Sequence, residues 1–180
     1  FALNLSNGKE IWRNSFIDLG VKETTNSFLD IDAFPVINKN IVIISSAVGK
    51  LIAVNKKNGN KLWSRDITTT QTPLVNGNSI FLVNQNKEVI CLNILDGGSR
   101  WVLSIEKEIS DNNKYIWLPP VLNNSQLLLV GGYKKLISID VFSGQIKTKK
   151  NLSSFPASSP IIVNKKIYLM LRNGDIIKIE

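Results

Sequence analysis

The chain has 180 residues, 43% of them hydrophobic, with a formal net charge of +8, no histidine and one cysteine. That length and apolar content fit one domain with a real core and exclude a disordered chain. The lack of histidine removes nucleophile–histidine catalysis from this stretch, a lone cysteine cannot form an internal disulfide, and no apolar run approaches the length of a membrane-spanning helix.

Taken in order, the chain repeats itself. Phe1-Ala2-Leu3-Asn4 reads as the end of an apolar strand, and Gly8 to Trp12 opens a Gly-x-x-x-Trp motif. Residues 16–34 form an insert with the hydroxyl-rich run Thr24-Thr25-Asn26-Ser27 and the acidic Asp30-Ile31-Asp32. Pro35 then opens a strand, followed by an Asn-containing turn, an apolar strand at 41–44, and a second apolar strand, Leu51-Ile52-Ala53-Val54, closed by Asn55. Asn58-Gly59 supplies a residue pair that tolerates positive φ, which predicts a tight hairpin turn. The following strand ends on Trp63.

The same order returns from Pro73, with strands at 80–83 and 89–92 and Gly97 to Trp101. It returns again from Pro120, with strands at 127–130 and 136–139 and Gly144, where Thr148 stands in the tryptophan position. A last copy starts at Pro160, with strands at 167–171 and 176–180. A second insert, residues 102–119, carries Tyr115 and Trp117. A repeat of roughly 40 residues with four short strands predicts an all-β fold built of propeller blades. The runs are too short for helical repeats and are broken by Gly and Asn. Unbroken apolar runs suit blade strands buried on both faces. Each proline sits at a strand start, where no ladder donor is lost. Trp12, Trp63 and Trp101 are expected to cover adjoining blades.

The positive charge gathers in pairs beside turns: Lys56-Lys57, Lys134-Lys135 and Lys165-Lys166. Such pairs read as solvated turns and blunted strand edges, with an anionic surface as the functional alternative. Cys91, inside an apolar strand, reads as a small packing residue. In an extended segment Asp30 and Asp32 point to one side. They could meet basic groups of a partner, begin a weak cation site, or simply cap a loop. Tyr115 and Trp117 could anchor a partner or fold inward.

The Ala-x-Asn strand followed by Gly-Lys-x-x-Trp resembles the docking repeat of the quinoprotein-type β-propellers, across essentially the whole chain. Two branches of that superfamily bear on it: the quinone (PQQ)-dependent dehydrogenases and the non-enzymatic BamB family of lipoproteins in the outer-membrane β-barrel assembly machinery. Leu29-Asp30-Ile31-Asp32-Ala33-Phe34-Pro35, residues 78–101, Ser143-Gly144-Gln145 and residues 173–179 are similar to the BamB pattern. The resemblance implies residues 1–180 as a partial propeller domain, about four blades of an expected eight, with earlier blades and any signal peptide and lipid anchor upstream. It further implies no catalysis, no cofactor and no nucleic acid. The implied place is the periplasmic face of a Gram-negative outer membrane, with Asp30 and Asp32 contacting the POTRA domains of BamA and unfolded outer-membrane proteins as clients. The family's second contact loop would lie before Phe1. The dehydrogenase branch would require a vicinal Cys-Cys disulfide, a Ca²⁺ site and an acidic base. A generic extracytoplasmic binding propeller is the third reading.

Overall fold

The computed structural model describes residues 1–15, 33–46, 49–109, 116–132, 134–164 and 166–179. Its strands are β1 (Ala2–Leu3), β2 (Glu10–Trp12), β3 (Val36–Asn38), β4 (Ile41–Ser45), β5 (Lys50–Asn55), β6 (Lys61–Asp66), β7 (Leu74–Asn76), β8 (Ser79–Val83), β9 (Glu88–Asn93) and β10 (Ser99–Ser104). After a one-turn helix, α1 (Ile105–Ile109), come β11 (Val121–Asn123), β12 (Gln126–Gly131), β13 (Lys135–Asp140), β14 (Ile146–Asn151), β15 (Ile161–Val163), β16 (Lys166–Met170) and β17 (Ile176–Ile179). Strands β3–β6, β7–β10 and β11–β14 form four-stranded sheets in sequential order. The described part of β15–β17 forms a three-stranded sheet, and β1–β2 a two-stranded one. The all-β propeller blades expected from the repeat are therefore present. β10 runs on to Ser104, so the second insert starts later than its sequence suggested, with a helical turn. The chain gathers into two compact units, Phe1–Ile80 with Leu92–Gly98, and Phe81–Cys91 with Ser99–Glu180.

Each short first strand begins one residue after its proline, at Val36, Leu74, Val121 and Ile161. The proline ring fixes φ at the strand entrance, and its missing N–H costs no ladder bond there. The middle strands are buried along most of their length: Leu51 to Val54 of β5, Val89 to Leu92 of β9, and Leu136 to Ile139 of β13. Continuous burial requires cover on both faces, which is why these runs do not alternate. Cys91 lies fully buried in this layer. By contrast β16 alternates. Leu169, with Leu171 beyond the strand, packs against Val130 and Leu136 within the second unit. Met170 and Ile176, paired across β16 and β17, are exposed. Fourth strands are mostly exposed, and β14 carries Lys147, Lys149 and Lys150 in its exposed run. Lys56 and Lys57 lie exposed in a turn, as the solvated reading of the lysine pairs expects.

The third and fourth strands of each four-stranded sheet meet through one recurring turn, and β1–β2 shares it. The N–H groups of Asn4, Asn55, Asn93 and Asp140 donate to the carbonyls of Lys9, Asn60, Gly98 and Gln145 at 2.8–2.9 Å, and the turn glycine donates back to the Asn or Asp carbonyl. The Oδ1 of the same side chain accepts the N–H two residues on, from Ser6, Lys57, Leu95 or Phe142. The hairpin turn expected at Asn58-Gly59 is present, but only one residue of that pair takes positive φ. The loop takes four residues, Lys56 to Gly59, and only Gly59 has positive φ, at 75°. The side-chain acceptor of Asn55 stabilises the longer loop, leaving a single left-handed position for glycine.

Asp140 makes this acceptor in the last copy. The Ser143 N–H, with help from the Ser143 hydroxyl, Phe142 N–H and Lys147, holds its carboxyl below the ordinary carboxylate range despite some opposing desolvation. A depressed folded value means the stabilisation is complete above the unfolded value of about 3.9 and is lost as pH falls through the folded one. Asp140→Asn keeps an Oδ1 acceptor, as in the other three turns. Its melting temperature should therefore fall less than the wild type's between about pH 4 and pH 2. Parallel curves over that interval would contradict the assignment.

Candidate functional site

Asp30, Asp32 and Tyr115 lie outside the described residues. What the structure does define is the exit of the acidic segment toward β3. Ala33 is buried, and the Phe34 N–H donates to Thr72 Oγ1 at 3.0 Å. The first residues after Asp32 are thus fastened to the loop that follows β6. The Phe34 ring, however, is 78% exposed. An exposed aromatic residue is the kind of apolar anchor that protein contacts use. The sequence reading gave Phe34 no role, because an aromatic before a proline reads equally well as core.

Trp117 is placed differently from the anchor reading. It is buried, forms an isolated antiparallel bridge to Gly131, and its neighbour Leu118 donates to the Val130 carbonyl at 2.9 Å. A Cβ on Gly131 would stand 2.6 Å from the Trp117 Cα and from the Ile116 carbonyl oxygen. The close backbone approach that glycine permits draws the indole inward, so Trp117 offers no ring to a partner.

The three motif tryptophans share one geometry. The indole N–H of Trp12 donates to the Lys56 carbonyl at 2.8 Å, that of Trp63 to Ile94 at 2.9 Å, and that of Trp101 to Val141 at 2.9 Å. Each acceptor belongs to the next recurring turn, 31 to 44 residues later in sequence. Each indole also lies against that turn's glycine: an added Cβ at Gly59, Gly97 or Gly144 would come within 2.6–2.7 Å of the ring of Trp12, Trp63 or Trp101. Glycine here answers two demands, a positive φ and a flat surface for the ring. Beyond the ring, a side chain two residues later closes the seam twice. Asn14 donates through Nδ2 to the Gly59 carbonyl. Arg65 donates through Nε to the Gly97 carbonyl at 2.8 Å and through a terminal nitrogen to the Asp96 carbonyl at 2.6 Å.

The electrostatics away from the seams are those of surface pairs. The Lys50 ammonium, hydrogen-bonded to Asp66, holds that carboxyl below its usual range. Lys87 meets Glu106 at 2.6 Å. Among the described residues, no group of three or more His, Cys, Asp or Glu gathers that could hold a metal ion. The donor set that a calcium–quinone centre needs does not assemble among them.

Antiparallel blades joined by indole-on-glycine seams define a quinoprotein-type β-propeller. The solved structures agree in fold. BamB from Moraxella catarrhalis matches with a TM-score of 0.70 at 15% identity, over 83% of this chain and 43% of that one. Quinohemoprotein alcohol dehydrogenase from Comamonas testosteroni matches with a TM-score of 0.57 at 13% identity, over 68% and 21%. At such identities both show the fold alone. The family model described as outer membrane protein assembly factor BamB matches residues 1–103, more than half of the sequence. This chain belongs to the BamB family. A curated relative, the outer membrane protein assembly factor BamB of Moranella endobia, is 27% identical over 179 residues, covering 97% of this chain and 44% of the relative. The chain thus spans less than half the length of that relative.

Proposed function

We propose that this chain is a non-catalytic scaffold segment of an outer-membrane protein assembly factor. In this reading it works at the periplasmic face of the outer membrane as part of a lipoprotein. It presents the acidic segment before β3 to the POTRA domains of BamA and so aids insertion of outer-membrane proteins. Family membership carries the reading. The exposed Phe34, two residues after Asp32 in sequence and fastened through its backbone bond to Thr72, supports this location for the contact. Asp30 and Asp32 supply carboxylates for basic groups of the partner, and Phe34 supplies the apolar anchor.

The test is binding of the purified chain to immobilised BamA POTRA domains. Asp30→Ala with Asp32→Ala should weaken capture at least tenfold, as expected when paired interfacial charges are truncated. Phe34→Ala should add to that loss without lowering the melting temperature. Undiminished capture by the triple variant would remove the proposed contact.

A further inference from the structure

We infer that Thr72 is the positioning residue for Phe34, holding that ring ready for the protein partner; this rests on the docking reading of the segment before β3. Phe34 is pinned from both sides of its Cα. Its N–H donates to Thr72 Oγ1 at 3.0 Å, and Pro35 follows it. A residue before proline is kept out of the helical region, so the backbone on that side is restricted as well. The side chain that leaves this fixed backbone is nonetheless exposed. A ring carried on fixed backbone loses less freedom on docking than one carried on a loose loop.

Thr72 is in turn held by its own neighbours. Thr69 is buried, and its Oγ1 accepts the Gln71 N–H at 3.1 Å. Ser45 of β4, also buried, donates through Oγ to the Gln71 carbonyl at 3.3 Å. Buried hydroxyls are costly unless bonded, and these two bond to the residue just before Thr72. Pro73, buried, fixes the chain just after it. The device recurs in the second unit. Ser159, like Thr72, stands immediately before a strand-opening proline, and its Oγ donates to the Pro119 carbonyl at 2.9 Å. Pro119 holds the place of Phe34, one residue before the proline that opens the preceding copy. Proline has no N–H, so there the hydroxyl donates, whereas at Phe34 it accepts. Of the two gripped residues, Phe34 is the one that carries an aromatic ring into solvent.

The test uses the whole chain and the immobilised POTRA domains. Thr72→Val keeps the side-chain shape and removes the acceptor; Thr72→Ser keeps the acceptor. Thr72→Val should speed hydrogen exchange at the Phe34 amide and weaken capture, each by about threefold to tenfold, the range for losing one hydrogen bond. Thr72→Ser should behave as wild type in both. With Phe34→Ala already made, Thr72→Val should weaken capture no further, because no ring is left to position. A capture loss from Thr72→Val that adds in full to that of Phe34→Ala would overturn the inference. If Phe34→Ala weakens capture and Thr72→Val does not, the role of Thr72 falls and the docking reading stands. If Phe34→Ala keeps full capture, both fall together.

Discussion

Trp63→Ala should destabilise the chain by about 3–5 kcal/mol, the range for deleting a large buried aromatic. Burial of such a ring removes about 150–250 Å² from water, which at roughly 25 cal/mol per Å² sets an upper bound near 4–6 kcal/mol. Trp63 is only 7% exposed, so it realises most of that area. The substitution also strips the hydrogen bond to the Ile94 carbonyl, in a residue 2% exposed, leaving a buried acceptor to find water or go unpaired. Lys56→Ala, at an exposed turn position, should change stability by about 0.5 kcal/mol or less. Equal losses from the two variants, measured by denaturant unfolding, would mean that the indole does not hold the seam.

Gly97→Ala should cost about 2–4 kcal/mol, from two sources that add. At φ 68° a Cβ strains against its own backbone, worth roughly 1–2 kcal/mol. The same Cβ would stand 2.7 Å from Trp63 Cε3, and the indole cannot retreat without giving up Ile94. Gly8→Ala is the internal control. Its φ is 68°, yet an added Cβ meets nothing within 4 Å. It should show the backbone cost alone, about 1–2 kcal/mol. If Gly8→Ala and Gly97→Ala destabilise equally, the ring contact contributes nothing.

The strand plan was legible because burial and periodicity are written locally. Pro35, Pro73, Pro120 and Pro160 each announce a strand, and runs such as Leu51 to Val54 declare cover on both faces. The turn was legible from the dipeptide Asn58-Gly59, but its length was not. The residue that decides the loop is Asn55, whose side chain bonds its own backbone two residues on. Trp117 could not be placed from sequence. Its burial depends on Gly131, which lets two backbone segments approach. Phe34 was invisible for a similar reason. Exposure of a residue appears only when its neighbours are present in space. The acidic residues themselves rest on family resemblance, and the exit of their segment is the part that the structure locates.

The central claim is that each indole and the turn glycine beneath it act as one unit, making the blades a firm base for the loops that carry function. A double-mutant cycle on Trp63 and Gly97 tests it most directly. With Trp63→Ala already made, Gly97→Ala has no ring to strike and should cost only its backbone strain. The double variant should then be more stable than the sum of the single losses predicts, by about 1–3 kcal/mol. Losses that add to within about 0.5 kcal/mol would show the two residues to be independent and would contradict the seam.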